Sequence, residues 1–195
     1  MTNTVNAENA FHTVIAARAA HVTSAANKQL ALSLATTIAM QKNTSFLEKM
    51  NVIASDFIDT KNAADKLCLY SIKQIANVLS ALTKATERAS LHDVSETVYV
   101  ALRTMINFAK ADKTFTKADL CMSIDASAKI DDSKKALIFH KKQKHDAAYA
   151  SRQMTIALNV MRVLKLVSAK NKFEFEVNKS NAAYKALVKL VDESK

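Results

Sequence analysis

The stretch ASRQMTIALNVMRVLKLVSAKNKFEFEVN, residues 150–178, changes its apolar period part-way along, and that change decides the fold. In its first part Ile156, Val160, Val163, Leu164 and Val167 fall on one stripe at 100° per residue, the pattern of an amphipathic helix. It predicts a helix over residues 147–167. Ser168-Ala169-Lys170-Asn171 then reads as a turn. Beyond it Phe173, Phe175 and Val177 alternate with Lys172, Glu174, Glu176 and Asn178, a period of two that belongs to a strand. It is the one convincing strand in the sequence, and a paired strand is expected to be short or absent.

Upstream of this stretch the patterns are helical. Val98, Leu102, Met105, Ile106 and Phe108 predict a helix over residues 94–110, with Asp93 as its N-cap. After the turn Ala111-Asp112-Lys113-Thr114, Thr116 is placed to cap a short helix over 117–123, with Asp119 as its acidic partner three residues on. Residues 129–145 read as a further helix with a basic C-terminal end, opened by Asp131-Asp132 as an N-cap, and residues 181–192 as the last helix. In the N-terminal half, helical patterns cover 9–26, 27–41, a segment opened by the Ser45/Glu48 capping box, and a long helix over 61–86 with more than one apolar stripe. The pattern breaks around residues 90–94, the expected boundary between an N-terminal helical bundle, 1–92, and a C-terminal domain, 93–195.

Composition agrees with a mostly α chain. The 195 residues include no Gly, no Pro and no Trp, where average usage would supply roughly 14 Gly and 10 Pro. Gly-rich phosphate loops, dinucleotide fingerprints and nucleophile elbows are thereby excluded, because each needs a residue free of Cβ at a tight turn. No apolar run approaches the length of a membrane span, and the first twenty residues lack a secretory pattern. Cys68 and Cys121 sit far apart among apolar neighbours, as buried thiols of a reducing compartment do. The expected location is the cytoplasm or nucleoid.

Charge is distributed unevenly. The formal net charge is +10, of which residues 98–195, with nineteen basic against ten acidic side chains, carry +9. Between Lys134 and Lys172 ten basic residues face one acid, Asp146. A one-sign segment of this length favours a polyanion, and nucleic acid is the commonest one; a lysine-rich solubilising surface is the competing explanation. No catalytic constellation emerges. His140 and His145 stand among lysines, a poor metal environment, so no enzyme activity, metal or cofactor is expected.

The Ser151-Arg152-Gln153 start of the long helix, its Leu164-Lys165-Leu166-Val167 end and the strand that follows resemble the second half of a winged helix-turn-helix domain. The pattern departs at Lys165, where that superfamily usually has Gly. The resemblance implies a C-terminal winged-helix-like, DNA-binding domain with helix 129–145 as an insertion, and a role as transcription regulator or nucleoid-associated protein. Tyr149, Ser151, Arg152, Gln153, Thr155, Asn159 and Arg162 are then expected on the DNA side of the recognition helix. Arg can read guanine, and Gln or Asn adenine. Lys170 and Lys172 of the wing would meet backbone or minor groove, and Lys134, Lys135, Lys141, Lys142 and Lys144 would add salt-dependent affinity. The N-terminal half would dimerise or hold a partner. Two other readings compete: a helical structural or adaptor protein, such as a virus-particle component, and a single-stranded nucleic-acid binder. The second is short of stacking platforms, because Phe139, Phe173 and Phe175 are expected mostly in the core.

Overall fold

The computed structural model describes residues 69–83, 94–140 and 145–193. The helices expected at 9–26, 27–41 and after Ser45 lie outside them, and of the N-terminal bundle only part of the long helix expected over 61–86 is described. The described chain is mostly helical with one small antiparallel sheet. In order it forms α1 (Leu69–Thr83), α2 (Glu96–Lys110), β1 (Phe115–Thr116), α3 (Lys117–Cys121), α4 (Asp132–Lys135), α5 (Ala147–Val163), β2 (Val167–Ala169), β3 (Glu174–Val177) and α6 (Ala182–Glu193). β3 is the central strand, between β1 and β2, with Phe115 opposite Phe175 and Val167 opposite Val177. The expected lone strand therefore has two partners. Each is only two or three residues long, too short for a period to register.

Local chemistry sets the helix ends. Ser95, not Asp93, caps α2: its Oγ accepts from the Val98 amide. The expected capping box is present on α3, where Thr116 Oγ1 accepts from the Asp119 amide and Asp119 Oδ2 accepts from the Thr116 amide. α5 starts at Asp146, which accepts from the Tyr149 amide, and stops at Val163, four residues before the expected end. There Lys165 takes φ 53°. Its amide bonds Arg162 O and the Leu166 amide bonds Met161 O, the paired bonds of a Schellman cap. α2 ends the same way: Asp112 has φ 54°, and the Asp112 and Lys113 amides bond Ala109 O and Phe108 O. Without glycine, both left-handed caps are made by residues that carry a Cβ.

The helix expected over 129–145 is corrected. Among the described residues of that stretch, only Asp132–Lys135 is helical, capped by Asp131. Beyond it the backbone bonds elsewhere: the Phe139 amide donates to Thr104 Oγ1 at 3.0 Å, and Asn107 Nδ2 donates to Leu137 O at 3.1 Å. These tertiary bonds, with Ile138 buried, hold the segment on α2 in a non-helical path.

One core joins these elements. The α2 residues Val98, Leu102, Met105, Ile106 and Phe108 are buried, as their spacing predicts. Phe115 bridges Phe108 and Phe175, with centroids 6.1 and 5.7 Å away, and so fastens the sheet to α2. α1 comes before the expected boundary at residue 93, and its Ile75, Val78, Leu79 and Leu82 belong to this same core. Gln74 is buried as well and accepts from the Ser95 amide at 2.9 Å. It ties α1 to the start of α2. No helix among the described residues is long and apolar enough to cross a membrane.

Candidate nucleic-acid interface

α5 buries Met154, Ala157, Val160 and Met161, and its C-cap Leu164, against the rest of the core. Arg152, Thr155, Asn159 and Arg162 recur at spacings of three, four and three residues, so they share the opposite side. Arg152, Thr155 and Arg162 are exposed, and Asn159 is half-buried. Thr155 Oγ1 donates to Ser151 O at 2.9 Å, within its own helix. The Arg162 guanidinium lies 4.9 Å from the centroid of the Phe175 ring, close enough for a cation–π contact that limits its motion.

The other α5 residues expected on that side point elsewhere. Gln153 is half-buried, and its Oε1 accepts a long bond, 3.4 Å, from Thr97 of α2. Ser151 Oγ accepts from Lys117 Nζ of α3 at 2.9 Å. Tyr149 is partly exposed and stacks on His145, with centroids 4.3 Å apart. Ser151 and Gln153 thus brace the start of α5 against α3 and α2, and the exposed stripe is the shorter set from Arg152 to Arg162.

The β2–β3 hairpin adds Lys170 and Lys172, both exposed. Its tip is built by Asn171. The Oδ1 atom of Asn171 accepts from the Phe173 and Glu174 amides, both at 2.9 Å, and its Nδ2 donates to Glu174 Oε2 at 2.8 Å. The Lys170 amide closes the turn on Glu174 O. Phe173, expected in the core, is instead 68 % exposed, because it precedes β3 and sits in this turn. Phe175 and Val177, inside the strand, are buried as expected.

Among the expected electrostatic lysines, Lys135 is exposed. Lys134 is tied down: its Nζ lies 2.7 Å from Oδ1 of Asp119, whose side chain is only 2 % exposed. Lys141, Lys142 and Lys144 lie outside the described residues. Sequence reasoning missed Lys117. Periodicity marks it only as a helix start, and its role comes from a partner 34 residues away.

Among the described residues, grooves lie near both ends of α5. One, of about 540 Å³, lies by its C-terminal end and is lined by Arg162, Lys165, Ser168, Glu176 and Lys179 among others. The second, of about 370 Å³, lies between α3 and the start of α5 and includes Lys117, Cys121, Lys129 and Ser151. Burial pushes the Cys121 thiol pKa up, while Lys117 pulls it the other way. The net direction is upward. No group of three or more His, Cys, Asp or Glu placed to hold a metal occurs among the described residues. Compared with family models, curated proteins and solved structures, the chain matches none.

Proposed function

We propose that this chain binds duplex DNA through α5 and the β2–β3 hairpin in a winged-helix-like manner. On this reading it is a transcription regulator or nucleoid-associated protein of the cytoplasm or nucleoid, not an enzyme, and its N-terminal half dimerises or holds a partner. The observation that carries the reading is the stripe of exposed Arg152, Thr155 and Arg162 with half-buried Asn159 among them, on a helix whose other side is locked into the core. A helix of this kind suits the major groove, which is wide enough to admit it. The antiparallel hairpin that directly follows α5 supports the comparison with a wing, and Lys165 takes the left-handed backbone that a glycine would otherwise supply at that turn.

The chemistry divides accordingly. Arg152 is placed to read base edges near the start of α5, and Asn159 and Arg162 further along it. Lys170 and Lys172 meet phosphates and contribute the salt-dependent part of the affinity. The test is fluorescence anisotropy of a labelled duplex titrated with the full chain over a range of salt. Affinity is expected to fall linearly with log salt, and Arg152→Ala to weaken binding about 10-fold. Absence of salt-sensitive binding at low salt would sink the reading.

A further inference from the structure

Phe173 is unusual among the apolar residues of its strand region. Phe175 and Val177 are buried, whereas Phe173 keeps 68 % of its surface in water. Leaving such a ring exposed forgoes the stabilisation that burial would bring. The backbone that carries the ring is held in place. Asn171 Oδ1 accepts from its backbone amide and from that of Glu174, and the Lys170 amide closes the turn behind it. Lys172 Nζ stands 5.3 Å from the ring centroid, and Lys170 is two residues away from Lys172. The tip therefore offers one exposed ring beside Lys172, with Lys170 two residues before that lysine and the Glu174 carboxylate taken up by Asn171, on an ordered backbone.

An exposed aromatic with a cation against its ring and a second lysine in the same turn matches a target with flat apolar surfaces bordered by anions. Stacked bases between phosphates have that composition. The minor groove is about 6 Å wide and admits single side chains, and proteins that insert apolar wedges there partly unstack a step and kink the duplex. Because β2 begins four residues after α5 ends, the hairpin is confined to the neighbourhood of that helix. We propose that Phe173 is a wedge inserted at a base step in the minor groove adjoining the groove that α5 occupies, with Lys170 and Lys172 on the bordering phosphates. This rests on the duplex-binding reading above and adds that the protein bends its target. Backbone order in the tip before binding lowers the cost of fixing the hairpin there.

The test uses the full chain in three forms, wild type, Phe173→Ala and Phe173→Trp, with a duplex labelled at both ends for energy transfer. Wild type is expected to bring the ends closer. Phe173→Ala should bind about 10-fold more weakly, with a smaller bend but the same salt slope, since no charge is removed. Tryptophan emission of Phe173→Trp should be quenched by the duplex. If Phe173→Ala binds and bends as wild type does, the wedge is overturned and duplex binding stands. If wild type itself shows no salt-sensitive binding, both fall together. If the tryptophan responds to phosphatidylserine vesicles and not to the duplex, the tip is a membrane loop and the wedge is overturned.

Discussion

Two basic regions of this molecule, close in sequence, end in different situations. In α5 and the hairpin after it, the apolar residues occupy one side and the cations the other, so Arg152, Arg162, Lys170 and Lys172 stay available to solvent. In the segment around α4, Lys134 is paired with the buried carboxylate of Asp119, and the backbone of 137–139 bonds Thr104 and Asn107 of α2. Cationic sequence is thus not the same thing as cationic surface. Burial decides between them: a carboxylate removed from water needs a partner, and Lys134 is the lysine within reach.

Packing beneath both regions gives the largest expected effect. Phe115 is fully buried between Phe108 and Phe175 and joins sheet to helix, so Phe115→Ala should cost about 3–5 kcal/mol in chemical denaturation. A loss below about 1 kcal/mol would mean that the sheet is not fastened there. Next comes the pair that separates the two regions. Asp119→Ala removes the α3 capping box and leaves Lys134 without its carboxylate, and should cost about 2 kcal/mol. Lys134→Gln should cost about 1 kcal/mol or less, since its side chain is 36 % exposed. In duplex titrations Lys134→Gln should weaken binding less than Lys170→Gln; the reverse order would erase the contrast.

The two left-handed caps supply a smaller effect with the opposite sign. Lys165→Gly should stabilise the protein by about 0.5–1 kcal/mol, seen as a raised denaturation midpoint, because glycine adopts φ 53° without Cβ strain. Asp112→Gly should gain less. Aspartate tolerates this backbone better, and the carboxylate of Asp112 pairs with Lys179. Equal gains would show that the side chains at the two caps are irrelevant.

The smallest effect is at Asp131. Hydrogen bonds from the backbone and then the side chain of Ser133 hold its carboxyl pKa below the usual range. A carboxylate with a lowered folded-state pKa stabilises above its unfolded value, and that stabilisation disappears as pH falls through the folded value. Fraying of α4 should therefore appear only in acid, as movement of the Ser133 amide resonance. Movement that begins near neutral pH would contradict this.

Much of this arrangement is legible in the residues themselves. The α2 core set, the Thr116/Asp119 capping box and the buried stripe of α5 follow from spacing and side-chain chemistry that act within a few residues. The end of α5 does not, because a chain without glycine or proline carries no local stop signal and Lys165 turns the backbone unannounced. β1 and β2 are too short to show a period, and their pairing with β3 is long-range. Residues 136–140 have a helix-compatible composition that bonds to Thr104 and Asn107 override. In the candidate site, Arg152, Thr155 and Arg162 were readable from helical geometry. The inward engagement of Ser151 and Gln153 depends on Lys117 and Thr97 from other helices, and Phe173 follows the strand alternation yet lies in the turn that Asn171 builds.

The most direct test of the proposed DNA-binding face is the acetylation rate of individual lysines in the full chain, with and without duplex, read by mass spectrometry. Lys170 and Lys172 on the hairpin should lose reactivity when duplex is added, while the exposed Lys185 and Lys189 of α6 keep theirs. Protection of the α6 lysines with the hairpin lysines unchanged would contradict the account.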